Sequence, residues 1–241
     1  EKDPIETVID GEWVTANGTT LGADNGIGVA VAMAALEDKS LVHGPLEALF
    51  TIDEETGMTG AFALKPNLLK GDILINLDSE DEGELYVGCA GGLDANIQLA
   101  YKNEAVPAGY TFFKLAVTGL KGGHSGMDIN SGRANSIKLA FRFLRNVEQK
   151  FDVRISSIDG GSLRNAIPRE AFVVAGVPNN KYGELEKSVS DFQKIYKAEF
   201  SKVEPDLSFT VSKIAEPTSV MDKTSQWALI RSVFGCPNGV V

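Results

Sequence analysis

Three groups of acidic residues stand where hydrolytic chemistry is most easily built. Leu46–Gly60, LEALFTIDEETGMTG, runs apolar to Ile52 and then breaks into Asp53, Glu54 and Glu55. Gly71–Asp78, GDILINLD, repeats the pattern: a short apolar run ends on Asp78, with Ser79, Glu80 and Asp81 behind it. Thr19–Gly28, TTLGADNGIG, sets Asp24 in a glycine-rich turn ahead of an Ala/Val/Met-rich stretch. The two apolar runs read as short buried strands, and in open α/β sheets reactive groups collect beyond the carboxyl ends of strands. Carboxylates gathered there suit a water-activating centre. Hard oxygen ligands hold a divalent cation while a neighbouring carboxylate handles the proton of a water. Each group also has a plain structural reading. Glu54-Glu55 alone is a solvated acidic turn, and either Asp24 or Asn25 can cap the helix that follows. Three such groups, each at the end of an element, fit one cation site better than three coincidences.

The elements that must position these groups divide the 241 residues into more than one domain. Asp10-Gly11 and Asn17-Gly18 read as turns with strand at Trp13-Val14 between them. Ile27–Leu36 reads as helix, Phe62–Leu69 as a short helical segment containing or ending at Pro66, and Glu84–Cys89 as strand by its alternation. Ala90-Gly91-Gly92 breaks the chain, so residues 1–93 form a first domain. Residues 94–215 follow a different order. Strands are expected at Asp94–Tyr101, Tyr110–Thr118, Phe151–Ser157, Glu170–Val177 and Leu207–Ile214, with amphipathic helices at Ala134–Gln149 and Tyr182–Lys202. That order describes a small α+β layer, an open sheet with helices on one face. Residues 216–241, with a helix over Asp222–Phe234 capped by Asp222, return to the first domain. The fold class is α/β: a mixed sheet with helices, carrying an inserted α+β domain.

Composition limits the partners. With 23 Lys and Arg against 33 Asp and Glu, the formal charge is −10, which opposes binding to nucleic acid or to an anionic membrane. No apolar run of about 18 residues is present, so no membrane span is expected. The opening residues are polar and acidic, unlike a signal peptide. Cys89 and Cys236 lie far apart, without the spacing of a zinc knuckle or a redox pair. Free thiols and a cytoplasmic location are the expectation.

Only two histidines occur, His43 and His124. His43 precedes a strand, at the end opposite the acids, and reads as a loop residue. His124 lies in Gly122-Gly123-His124-Ser125-Gly126, where glycines permit positive φ and close approach of a ligand or another chain. It is either a loop imidazole satisfied by backbone or a functional group. Arg169 closes Arg164-Asn165-Ala166-Ile167-Pro168-Arg169. It is either a surface arginine or the fork that receives a substrate carboxylate.

LGADNGIGVA, TIDEETGMTGAFAL, INLDSEDEGELYVGCAGG, GLKGGHSGMDIN and GGSLRNAIPREAF together resemble the co-catalytic zinc peptidases. That family holds aminoacylase, glutamate carboxypeptidases, succinyl-diaminopimelate desuccinylase and several dipeptidases. The branch most resembled is that of the Xaa-His dipeptidases, also called aminoacyl-histidine or cytosol non-specific dipeptidases, and the likeness runs along nearly the whole chain. It implies a catalytic domain holding two divalent metal ions, zinc with cobalt or manganese as alternatives. It implies that Asp24 bridges the two ions, that Glu55 and Asp78 each bind one, and that Glu54 is the general base. The inserted domain becomes a lid that mediates homodimerisation. On it, His124 reaches the neighbouring protomer's site and steadies the oxyanion, and Asn165 contacts a short peptide substrate.

The sequence departs from that family in two ways. Family members are longer, and they carry a His-x-Asp motif before the region of Asp24 and a ligand histidine near the C-terminus. Neither is found here. The chain therefore reads as an internal fragment of such an enzyme, or as an incomplete gene product, with the catalytic domain truncated at both ends. Weak metal binding and negligible hydrolysis are expected of the polypeptide alone. The alternatives are an aminoacylase or deacylase of the same family and a non-catalytic dimerisation module.

Overall fold

The computed structural model of the chain describes residues 4–19, 21, 24–79, 81–89 and 91–240. Thr20, Gly22, Ala23, Glu80, Ala90 and Val241, which belong to stretches singled out above, lie outside them. Two compact units are formed, Glu1–Leu93 and Asp94–Val241.

In the first unit, β1 (Thr7–Asp10) and β2 (Trp13–Ala16) make an antiparallel hairpin in which Asp10 faces Trp13. Helix α1 spans Gly26–Glu37. Its cap is Asn25, whose side-chain oxygen accepts from the Gly28 N–H at 2.9 Å. Two single helical turns follow, α2 (Glu54–Gly57) and α3 (Thr59–Phe62). Leu46–Ile52, Gly71–Asp78 and Glu84–Cys89 differ from expectation: none joins a ladder among the described residues. The segment expected to be helical over Phe62–Leu69 is helical only up to Phe62, and Pro66-Asn67 turns the chain instead. The physical reason is that a strand is a paired object. Apolar, β-branched runs supply propensity, but a ladder and a covered face must be supplied by neighbours. Ile73, Leu74 and Ile75 are each more than three-quarters exposed, and Gly28 is the one buried position among the described residues of this unit.

The second unit has such neighbours. A short pair, β3 (Asn103–Glu104) with β8 (Val220–Met221), stands beside a four-stranded antiparallel sheet. That sheet holds β4 (Tyr110–Thr118), β5 (Arg154–Gly160), β6 (Ala171–Pro178) and β7 (Ser208–Lys213), in the order β5-β6-β4-β7. Asp94–Tyr101, expected to be a strand, joins no ladder among the described residues. Helices α4 (Ser136–Val147) and α5 (Tyr182–Glu199) pack on one face of the sheet. Alternate residues of the strands, Phe113, Leu115 and Val117 on β4 with Val173 and Ala175 on β6, meet Leu139, Phe143 and Leu144 of α4 and Leu185, Val189 and Tyr196 of α5. Period two on the strands and period 3.6 on the helices put both apolar sets on facing surfaces. Phe143, Phe192, Tyr196 and Phe209 close an edge-to-face ring of contacts with centroids 5.1–5.5 Å apart. The Tyr196 hydroxyl donates to the Leu139 carbonyl at 2.8 Å, so no polar atom of that ring is left unmet.

Residues 216–240, which the sequence reading returns to the first domain, pack within this second unit. Helix α6 (Lys223–Gly235) is capped by Asp222 and lies against α4 and β5. The buried Gln226 amide accepts from the Ile155 N–H at 2.7 Å and donates to the Val153 carbonyl at 2.8 Å. It thus pairs with the outer edge of β5 as a neighbouring strand would. The mixed α/β class and the α+β layer with helices on one face hold as read from the sequence.

Candidate metal and substrate site

With Asn25 occupied as the cap of α1, Asp24 is left to face other groups. The Asn25 amide also donates to the Leu77 carbonyl at 3.2 Å, which draws the Asp24 turn to the end of the GDILINLD run. There the Asp78 carboxyl lies close enough to that of Asp24 for the two to interact. Desolvation first, and the Asp24 charge second, push the Asp78 carboxyl above the usual carboxylate range, although both residues are exposed as wholes. Two acids brought face to face favour a species that neutralises them, a shared proton or a cation.

Glu54 and Glu55 occupy the single turn of α2, between two left-handed residues, Asp53 at φ 64° and Met58 at φ 54°. The turn is closed by Met58 N–H to the Asp53 carbonyl at 2.7 Å, by the Thr59 hydroxyl to the Asp53 carboxylate at 2.6 Å, and by Gly60 N–H to the Ile52 carbonyl at 3.2 Å. Both glutamates are exposed on it. Among the described residues, no group of three or more His, Cys, Asp and Glu side chains converges as a metal site would. The structure therefore brings Asp24 and Asp78 together and holds Glu54 and Glu55 side by side, without merging the two pairs.

In the second unit the loop between β4 and α4 carries His124. Its Nδ1 accepts from the backbone N–H groups of Gly126 and Met127, at 3.1 and 3.2 Å. A neutral imidazole held this way carries its proton on Nε2. The loop is stitched to the stretch before β6: Ser125 N–H donates to the Asn165 carbonyl at 2.9 Å, and Ile167 N–H to the Gly123 carbonyl at 2.8 Å. The stem of Arg169 lies across Gly122, where an added Cβ would stand 2.3 Å from the arginine Cγ. His124, Asn165 and Arg169 are thus gathered on one exposed patch. His43 is exposed elsewhere, its Nδ1 turned to the Gly44 carbonyl. Asp128, Arg133 and Glu204, which hold the His124 loop, carry no motif by which sequence reasoning would find them. A separate concavity of about 450 Å³, lined by Arg142, Arg145, Asn146, Phe192, Ile195 and Phe234, includes none of the candidate residues.

Residues 115–204, from within β4 to just beyond α5, match the peptidase dimerisation domain family. The chain is 50% identical over 240 residues to the cytosol non-specific dipeptidase of Escherichia coli, covering 100% of this chain and 50% of the relative. The crystal structure of aminoacylhistidine dipeptidase from Vibrio alginolyticus superposes with a TM-score of 0.73 at 48% identity, covering 100% of this chain and 49% of that one. This chain is a relative of those dipeptidases. The resemblance read from the motifs is borne out by identity along its full length. An uncharacterised protein of Bacillus subtilis is 26% identical over 200 residues, covering 79% of this chain and 50% of the relative. The chain spans about half the length of the dipeptidases it matches.

Proposed function

We propose that the whole protein to which this chain belongs is a metal-dependent dipeptidase cleaving short unblocked peptides, Xaa-His types among them. The observation that carries the proposal is the 50% identity over 240 residues to the Escherichia coli dipeptidase. The match covers both units of the chain.

The chemistry of the donors, all of them carboxylates, suits a divalent cation. Asp24 and Asp78 face each other, and carboxylate oxygens are the hard ligands such ions prefer. Asp24, Glu55 and Asp78 would hold two divalent ions, zinc with cobalt or manganese as alternatives. When bound, the ions supply Lewis acidity, polarising the peptide carbonyl and making the water acidic. Glu54, kept out of the ligand set, takes the proton from the water and delivers it to the leaving amine. The Nε2–H of His124 stabilises the charge that develops on the carbonyl oxygen. Asn165 contacts the peptide, and Arg169 receives its carboxylate in a fork.

In this reading, residues 1–93 and 216–241 belong to the catalytic domain and residues 94–215 to the lid. The match to a peptidase dimerisation domain supports a homodimer formed through the lid, with His124 serving the neighbouring protomer. A cytoplasmic location follows the name of the Escherichia coli relative. No described helix is long and apolar enough to cross a membrane.

The test is hydrolysis of Xaa-His dipeptides by the whole protein loaded with zinc. Glu54→Gln should abolish turnover while bound metal survives. Loss of both makes Glu54 a ligand, and failure to cleave any unblocked dipeptide overturns the reading.

A further inference from the structure

One buried carboxylate holds both ends of the loop that carries His124. Glu204 follows α5 in Val203-Glu204-Pro205 and is 1% exposed. Its Oε2 accepts from the Lys121 N–H at 2.8 Å, and its Oε1 from the Ala134 N–H at 3.0 Å. Those two residues are the base of the loop on either side. The approach is backbone to backbone: a Cβ on Gly119, at φ 76°, would stand 2.1 Å from the Asp206 carbonyl oxygen. Between the anchors the loop is braced from within. Arg133 pairs with Asp128 at 2.9 Å and donates to the Gly122 carbonyl at 2.7 Å, while Asp128 accepts from the His124 N–H at 2.8 Å. The same loop supplies the two N–H groups that fix the imidazole at Nδ1. Burying a carboxylate is costly unless its oxygens are met. Here both are met, each by one end of the same loop, through charge-assisted bonds.

We propose that Glu204 is a positioning residue for His124. It sets the span of the loop from 121 to 134 and thereby keeps the imidazole presenting Nε2–H. The functional weight of this rests on the reading of His124 as the group that steadies the oxyanion; the positioning itself does not. Glutamine at position 204 has one acceptor oxygen, and its NH₂ faces the second backbone N–H, so one end of the loop is released.

Imidazole nitrogen NMR on the full chain labelled with ¹⁵N-histidine tests this, with His43→Gln leaving one ring to observe. Spectra are taken near pH 9, where an ordinary imidazole, of pKa about 6.5, is neutral. The wild-type ring should show the widely separated Nδ1 and Nε2 signals of a single tautomer. In Glu204→Gln the separation should fall by about half or more, toward the tautomer average, with the circular dichroism spectrum retained. An unchanged separation overturns the proposal, because a merely structural role lowers stability without moving those signals. Should the variant not fold, hydrogen exchange on the unmodified chain decides. The Lys121 and Ala134 amides should exchange about a hundredfold or more slowly than random coil, and coil-like exchange overturns the clamp. In the whole protein, Glu204→Gln should lower kcat about tenfold with KM little changed, as expected for a donor displaced by about an ångström. If His124→Ala leaves turnover intact, the reading of His124 fails, while the nitrogen signals still decide the positioning.

Discussion

Asp24 and Asn25 are neighbours with different tasks, and the sequence left the choice between them open. Either side chain can cap a helix. The structure gives the cap to Asn25 and the carboxylate contact to Asp24. Such a choice turns on backbone direction, which residue type does not encode. The carboxylates and His124 were legible because their residue types announce chemistry. Glu204 was not, because a single acid after a helix looks like any solvated residue until its two backbone partners, 83 and 70 positions away, are seen. Asp222 gives a prediction at the same scale. Backbone N–H groups of Lys102 first, and Ser225 next, pull its carboxyl down to about 2. A carboxyl whose folded value lies below the unfolded value of about 3.9 stabilises the fold above the latter and ceases to do so as pH falls through the former. The stability difference between the wild type and Asp222→Asn should therefore narrow as pH drops from about 4 to about 2. A difference constant across that window would remove the charge from the account.

At the scale of elements, alternation was informative where a helix face stood ready to receive it. Tyr110–Thr118 was legible to the residue, and α4 and α5 to within a few positions, because each buries the set its period selects. Leu46–Ile52 and Gly71–Asp78 show equal propensity and join no ladder among the described residues, since pairing is a property of neighbours. The aromatic ring joining α4, α5 and β7 is where packing concentrates. Phe143 is fully buried, 5.2 Å from the Phe192 centroid and 5.1 Å from that of Phe209. Phe143→Ala should cost about 3–5 kcal/mol in denaturant unfolding. The neighbouring surface pair Arg142–Glu199, with both side chains more than two-fifths exposed, should cost under about 1 kcal/mol when removed. Equal costs would mean that the aromatic contacts do not dominate.

At the scale of the molecule, the buried apolar side chains among the described residues belong to the second unit. A polypeptide of residues 94–241 should therefore unfold cooperatively, at the same denaturant midpoint as that unit does within the full chain. A broad transition in the isolated piece would show that its core needs residues 1–93. The net charge of −10 was legible at once and sets the general electrostatics. The packing of α6 against α4 and β5 was not, because the amide of Gln226 and the ammonium of Lys138 tie that helix down through contacts 71 to 98 positions apart in sequence.

That ammonium has a consequence of its own. Lys138, on α4, donates to the carbonyls of Val233, Phe234 and Cys236 where α6 ends. One positive charge on the side of one helix thus serves as the stopper of another. Acylation of the amine would strip that charge and unfasten the far helix's final turn, although no atom of α6 had been altered.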